Sequence, residues 1–490
     1  MNNAIADLDV SAIDTFKSHP QSWIAGRWVS GERDYPVIDP AQGIEIARVG
    51  VASIADVDEA VTAAGTAFDK HRSATPDERA RWCFAASTAI LAHEHELAAE
   101  LTREHGKPLL DALAEVRSAA NGFRVAATVA LADSGAAPRV ADPTKRVIVR
   151  REPRGVWAVV TPWNFPLNIP MEYIGPAIST GNAVVWKPAP STSRIAALFR
   201  AVLLEADFPQ DLIQLVLTDD LDTARYLTMH PVISSIGFTG GSAAGESIRS
   251  ACSDKHLLLE LGGNTPMVVF ADADLDQTAD AIANAAFWNT GQVCSAAGRI
   301  LVDRRVSGEL AERLASRARA RQTGDPFDRA TEMGPVHLES GIARIQAHID
   351  DATERGATLL TGGRRSDGAG WYFPATVLAD VSPEAVIANE ETFGPVAALV
   401  PLDESDLVAA ANDGEFGLVG AVFTTSLDRA FTTAEAIDAG LVIVNATSNY
   451  WELSLPFGGA HGRRSGRGRL GGVAALDEFT QLKTIVLTIR

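Results

Sequence analysis

Apolar residues in this chain gather into short runs, many of them β-branched, separated by amphipathic stretches of helix length. Residues 157–160, 183–186, 214–217 and 233–236 are such runs, each bounded by turn residues. Runs this short, without polar alternation, predict strands of a parallel sheet covered on both faces. A second sheet is predicted to start at 267–270 and to continue through 299–302. Ser53 is placed to cap a helix, with Asp56 three residues on and Val57, Ala60, Val61, Ala64 and Phe68 on one face. Residues 145–151 and 482–489 differ: they mix charged and apolar positions, as antiparallel strands with one wet face do. They are expected to pair with each other or with another subunit. The alternation of helices and strands predicts an α/β protein.

At 490 residues the chain is too long for one hydrophobic core, so two or three domains are expected. No segment approaches the roughly 18 consecutive apolar residues of a membrane span. Residues 1–20 carry Asp7, Asp9, Asp14 and Lys17 without an apolar run, and do not read as a secretory signal. The three cysteines, Cys83, Cys252 and Cys294, are too few for a disulfide framework and lack metal-ligand spacing. A cytoplasmic location and no metal are therefore expected. Cys83 reads as a buried helical residue, and Cys252 is assigned no role. A net charge of −19 argues against binding nucleic acid or an anionic membrane. The exception is the Arg/Gly run over 462–469. It has two readings, an RNA-binding tail or a solvated or interface loop, and its apolar flanks favour the loop.

Candidate chemistry centres on Gly291-Gln292-Val293-Cys294-Ser295. A lone cysteine is ordinarily a buried hydrophobe. Here Glu260, within Leu259-Glu260-Leu261-Gly262-Gly263, and Asn164, within Pro162-Trp163-Asn164-Phe165-Pro166, stand upstream of it. A thiol, a carboxylate and a side-chain amide are the groups that aldehyde oxidation through a thioester needs. Two features point to a dinucleotide. Lys187 ends a predicted strand, at the edge where α/β sheets bind ligands. Residues 236–245 read as strand, glycine-rich turn and helix start, where free N–H groups meet a pyrophosphate. The glycine spacing is not G-x-G-x-x-G, and Glu246 stands where a P-loop needs lysine, so a kinase or ATPase is disfavoured. Taken alone, the turn could equally be a helix-capping glycine cluster.

Together the 162–166 segment, Lys187, Phe238-Thr239-Gly240, the 259–263 segment, the Cys294 segment, Glu391-Thr392-Phe393-Gly394-Pro395 and Pro456-Phe457-Gly458-Gly459 resemble the motifs of the aldehyde dehydrogenase superfamily. The resemblance is to its non-phosphorylating, hydrolytic branch, and runs from about Trp23 to the C-terminal strand. It implies a nonstandard Rossmann-type NAD(P)-binding domain over 1–133 and 153–261 and an α/β catalytic domain over 262–445. It further implies oligomerisation strands over 134–152 and 475–490, and a return segment over 446–474 lining the substrate entrance and cofactor domain. By this resemblance Lys187 contacts the adenosine ribose of NAD or NADP, and Gly240, Gly241, Ser242 and Gly245 lie by the pyrophosphate. Glu391 holds the nicotinamide ribose with Phe393 against it, and Thr161 and Trp163 complete the cofactor set. Cys294 is the nucleophile, Asn164 with the Cys294 N–H binds the oxyanion, and Glu260 activates the hydrolytic water. A homodimer or homotetramer is the implied assembly. Each residue also has a plainer reading: Asn164 as a turn residue, Glu260 as an arginine's partner, Glu391 as a surface acid beside Glu390.

Departures from the family pattern bear on specificity. Position 190, where many strictly NAD-dependent members carry glutamate, is Pro190. Dual use of NAD and NADP follows, with Ser191 or Arg194 as candidate aids to a 2′-phosphate. Position 172, where succinate-semialdehyde members carry arginine, is Glu172. An acid there disfavours a carboxylate-bearing aldehyde, and meets a hydroxyl, an amine or a nearby arginine. Phe165, Trp288 and Trp451 read as an aromatic wall, joined in the substrate pocket by Val293, Ser295 and Phe457. An aromatic or otherwise uncharged aldehyde is therefore expected. Leu470 replaces a glutamate common near the active site, which speaks against a proton relay there. The alternatives are a CoA-acylating semialdehyde dehydrogenase, which Glu260 opposes, and a catalytically silent structural or binding member of the family.

Overall fold

The computed structural model describes residues 19–489, so residues 1–18, read above as lacking a secretory signal, lie outside it. One sheet has the strand order Gly466–Arg467, His256–Glu260, Ile233–Thr239, Val156–Val160, Ala183–Lys187, Ile213–Leu215, Ser22–Ile24, Arg27–Val29. From His256–Glu260 to Ile213–Leu215 the strands are parallel. Their side chains are buried almost without interruption, which is why the runs read apolar rather than alternating. The strand predicted at 214–217 pairs at Ile213–Leu215, and one further backbone bond joins Val216 N–H to Trp186 O (2.9 Å). From Val156–Val160 the next two strands build outward on one side, and Ile233–Thr239 and His256–Glu260 on the other. The carboxyl ends of Val156–Val160 and Ile233–Thr239 thus flank a topological switch point, where open α/β sheets leave a crevice.

The second sheet runs Thr358–Thr361, Thr376–Ala379, Val396–Leu402, Ala297–Asp303, Thr265–Val269, Val419–Phe423, Leu441–Val444, parallel except at its first strand. The short passage 261–264 joins the two sheets and keeps Glu260, at the end of its strand, beside the second one. Lys145–Pro153 and Thr480–Thr488 pair antiparallel with each other along their whole length. Leu482, Val486 and Leu487 remain exposed on this ribbon.

Ser53 caps the helix Ile54–His71 in the expected reciprocal arrangement with Asp56. Its buried face is Val57, Ala60, Val61, Ala64 and Ala67, with Phe68 only half-buried: the stripe turns past Phe68 at its end. Cys83 is fully buried, which pushes its thiol up to about 12, and Cys252 is buried at the C-cap of the helix Ser242–Ala251. The Arg/Gly run is a committed part of the fold. Gly466–Arg467 forms an edge strand, Arg463 pairs with Asp438 (2.7 Å) and Arg464 with Glu415, which removes the RNA-tail reading. Among the described residues no helix is long and apolar enough to cross a membrane, and no group of three or more His, Cys, Asp or Glu could hold a metal ion.

Candidate active site

Cys294 lies between the helix Leu275–Phe287 and the strand Ala297–Asp303. The chain approaches it through three consecutive left-handed residues, Asn289 (φ 50°), Thr290 (φ 58°) and Gly291 (φ 67°). A β-branched threonine adopts that conformation at a cost of roughly 1–2 kcal/mol. Bonds from several directions hold the turn. Thr290 Oγ1 donates to Gly334 O (3.1 Å), His337 N–H to Gln292 Oε1 (2.8 Å) and Gln292 Nε2 to Asn289 O (3.1 Å). Gly291 admits no side chain, since a Cβ would lie 2.1 Å from Gly394 O. The Cys294 thiol is raised chiefly by burial, then by Glu391, Glu260 and Glu172, with its own backbone N–H opposing. Chemistry through the thiolate therefore needs a base within the site.

Asn164 is buried, and its Nδ2 donates one hydrogen to Gln292 O (3.1 Å). The second amide hydrogen meets no acceptor among the described residues. Asn164 O accepts from Lys107 Nζ (3.0 Å) and Asn289 Nδ2 (3.3 Å), so both the backbone and the side chain are fixed. Lys107 also forms an ion pair with Glu115, with side chains only 1% and 2% exposed. Glu115 Oε1 accepts the Leu167 and Asn168 N–H groups (2.9 and 3.2 Å), so this one pair anchors the whole 164–168 segment. Removing one partner of a buried pair strands the other charge. Lys107→Met is therefore expected to destabilise the fold by about 3–5 kcal/mol. Thermal unfolding checks this: Lys107→Met/Glu115→Leu should regain much of the lost stability, yet stay slow because Asn164 has lost its anchor.

Glu260 is 3% exposed, and neither carboxyl oxygen has a hydrogen-bond partner among the described residues. Burial raises it well above the usual carboxylate range, with Arg469 opposing and Glu172 and Glu478 reinforcing. It is not an arginine's salt-bridge partner, because Arg469 Nη1 donates to Gly459 O (2.7 Å) and Gly468 O (2.8 Å) instead. Two cavities, of about 270 and 210 Å³, share a wall of Cys294, Glu260, Thr239, Ile169 and Leu261.

Trp163, Asn164, Gly240, Gly241, Glu391 and Phe393 line the smaller cavity. Phe393 is itself left-handed (φ 54°) and meets Trp163 edge to face at 5.5 Å. Glu391 is no surface acid: its Oε1 accepts the Gly263 N–H (3.1 Å), and burial pushes its carboxyl up to about 7. Thr161, Lys187, Ser242 and Gly245 lie outside this lining. Thr161 Oγ1 accepts the Trp186 indole N–H (2.9 Å). Ser242 opens the helix Ser242–Ala251. An added Cβ at Gly245 would lie 2.4 Å from Leu261 Cδ2, so this glycine serves close packing of that helix. Lys187 ends its strand half-buried, which pushes its amine down to about 8, with Asp219 opposing. Arg194 is a correction to the expected phosphate aids. It is 5% exposed and donates to Glu100 Oε2 (3.1 Å) and Ile46 O (2.7 Å), so it is not free for a ligand. Ser191 Oγ is bonded to His337 Nε2 (2.8 Å).

All seven expected pocket residues, Phe165, Glu172, Trp288, Val293, Ser295, Trp451 and Phe457, line the larger cavity. Phe165 packs on Trp288 (5.3 Å between centroids) and Trp451 on Phe457 (5.4 Å). Ser295 Oγ donates to Asn449 Oδ1 (2.9 Å). Glu172 pairs with no arginine among the described residues; its Oε1 accepts from Asn168 Nδ2 (2.5 Å).

The model of the aldehyde dehydrogenase family matches residues 28–485. The chain belongs to the aldehyde dehydrogenase family. It is 36% identical over 460 residues to the probable succinate-semialdehyde dehydrogenase (NADP+) of Sinorhizobium fredii, covering 93% of each chain. It is 35% identical over 481 residues to the betaine aldehyde dehydrogenase of Rhizobium etli, covering 96% of this chain and 98% of that one. The crystal structure of betaine aldehyde dehydrogenase from Staphylococcus aureus in complex with NAD+ superposes with a TM-score of 0.93 at 30% identity. That match covers 97% of this chain and 96% of the other. The chain is thus an oxidoreductase that oxidises aldehydes with NAD or NADP.

Several residues of this aldehyde dehydrogenase site escape sequence reading: Lys107, Glu115, Asp111, Ser118, Asn168 and Arg344. Asp111, Glu115 and Ser118 carry a signal, since their spacing puts them on one face of the helix Leu109–Leu131. Asn168 and Glu172 share a face of Asn168–Thr180 in the same way. Arg344, whose Nε donates to Thr392 O (3.0 Å), gives no such signal on its amphipathic helix.

Proposed function

We propose that this enzyme releases a free carboxylic acid, through a cysteine thioester, from aldehydes that carry no negative charge. The observation that carries the reading is the shared wall, in which Cys294 and the partnerless Glu260 face both cavities. Cys294 Sγ attacks the carbonyl carbon while Glu260 takes the thiol proton. The free Asn164 amide hydrogen and the Cys294 N–H donate to the developing oxyanion, each worth ~10²–10³ in rate. Bound NAD(P)+ supplies the hydride acceptor that carries the adduct to the thioester level. Once it has passed the thiol proton to solvent, Glu260 deprotonates the water that hydrolyses the thioester.

The residues present fit such a cofactor. Glu391 keeps one oxygen open in the smaller cavity, whose lining it shares with Trp163 and Phe393. The start of Ser242–Ala251 offers free N–H groups to a pyrophosphate. Lys187 sits at the strand edge for the adenosine end, and no carboxylate stands at Pro190 to repel a 2′-phosphate. Both cofactors should serve, with kcat/KM values within about 100-fold, or ~2.7 kcal/mol. The ribbon of Lys145–Pro153 and Thr480–Thr488, with its exposed apolar side chains, supports assembly into a homodimer or homotetramer.

Near-ultraviolet absorbance of the reduced cofactor tests the reading. Aliphatic, aromatic and semialdehyde substrates should be assayed with NAD and with NADP, with and without CoA. Reduction with uncharged aldehydes, a free-acid product and no acceleration by CoA are expected. A strong preference for succinate semialdehyde would overturn the charge assignment, and an acyl-CoA product would overturn hydrolysis.

A further inference from the structure

We propose that one wall of the larger cavity is a binding site for a protonated amine, so that the enzyme's preferred substrates are aldehydes bearing an ammonium group. This rests on the reading above and narrows its substrate class. The wall is built where two helices bring polar faces together. Leu109–Leu131 contributes Asp111, Glu115 and Ser118, and Asn168–Thr180 contributes Asn168 and Glu172. The helices approach closely because Gly122 has no side chain; a Cβ there would lie 1.8 Å from Met171 Sδ.

The hydrogen bonds across this contact run in one direction. Ser118 Oγ donates to Asn168 Oδ1 (2.6 Å), and Asn168 Nδ2 donates to Glu172 Oε1 (2.5 Å). The chain ends at Glu172, which is 8% exposed and whose Oε2 has no partner among the described residues. An acceptor left open in a largely apolar cavity is costly unless a ligand brings it a donor. The charges agree. Asp111, Glu115, Glu172 and Glu260 all line the cavity, and its one basic residue among the described residues, Lys107, is already paired with Glu115. Burial raises the Asp111 carboxyl, with Lys107 and the Trp288 indole opposing. Against this acidic wall stand the rings of Phe165, Trp288, Trp451 and Phe457, whose faces attract a cation. Lys107 Nζ already lies 4.3 Å from the centre of the Phe165 ring.

An uncharged aldehyde leaves Glu172 Oε2 unmet, and a carboxylate is repelled by the acids. A protonated amine satisfies Oε2 through a charge-assisted bond and rests against the rings. Burial, with Glu115 adding, raises the Glu172 carboxyl, and an arriving ammonium opposes that shift by favouring the ionised form.

The test compares kcat/KM of the wild-type enzyme for aminopropanal, butanal, hydroxypropanal, trimethylammonio-propanal and succinate semialdehyde. Aminopropanal should exceed butanal by about 10–100-fold, the range of a hydrogen bond to a charged group. Glu172→Gln should cut that ratio by about tenfold or more. Propylammonium should compete with butanal in the wild type, a readout that needs no variant. Butanal equal to aminopropanal, a preference for hydroxypropanal or the quaternary compound, or an unchanged ratio in Glu172→Gln would each overturn the amine site while leaving hydrolytic oxidation standing. Failure to oxidise any of the five would instead bring down the functional reading itself.

Discussion

Replacing Cys294 by alanine is expected to abolish cofactor reduction, by ~10⁴-fold or more, and to leave the fold unchanged. Without the sulfur no covalent adduct forms, and no other thiol can take its place, because Cys83 and Cys252 are 0% and 1% exposed. The fold should survive because the bonds that hold the left-handed turn at 289–291 come from Thr290, Gln292 and His337, none of which uses the thiol. Circular dichroism and thermal unfolding should match the wild type. The same geometry predicts that iodoacetamide modifies native protein at Cys294 alone. Labelling should quicken as pH rises, since burial and three nearby acids hold the free thiol protonated. Residual turnover well above background in the alanine variant, or labelling of Cys83 in native protein, would place the nucleophile elsewhere.

What was legible in the sequence depended on whether a residue's neighbours lie close along the chain. The buried strands read correctly because burial on both faces removes polar alternation, and Ser53 with Asp56 because a capping box is local. Glu260 and Asn164 were grouped with Cys294 on their chemistry and given roles through the resemblance, since nothing in their spacing reports that both meet Cys294 in space. Lys107 and Glu115 were missed for the opposite reason. Polar residues at helical spacing on an alanine-rich helix normally mark the solvent face; here the Glu115 face carries Gly122, which packs against Met171, and Lys107, just before the helix, is buried with Glu115. Arg194 misled in the same way. It looked available beside Pro190, but Glu100 and Ile46, distant in sequence, occupy its guanidinium. The strain at Thr290 gave no signal either, because what holds it comes from Gly334 and its neighbours, far along the chain.

Glu260→Gln is expected to separate the two halves of the reaction. The substitution is nearly isosteric, and neither carboxyl oxygen has a protein partner to lose, so the shape of the shared wall is preserved. At neutral pH thioester formation should slow, because the base for the thiol is gone. As pH rises a growing fraction of the thiol ionises unaided, and formation should quicken. Hydrolysis does not recover with it, and should remain slower by ~10²–10⁴, the usual worth of a positioned base. Stopped-flow absorbance should then record a burst of reduced cofactor, no larger than one equivalent per Cys294, followed by slow turnover, and mass spectrometry should find the acyl group on Cys294. In the wild type the working form is the carboxylate. Burial raises Glu260 well above an ordinary glutamate, so hydrolysis should fall with decreasing pH long before an exposed carboxylate would protonate. The variant should lack that fall. If it hydrolyses as fast as the wild type, the water step belongs to another acid. Glu391 would be the next to test, since its carboxyl, raised to about 7, lines the smaller cavity together with Cys294.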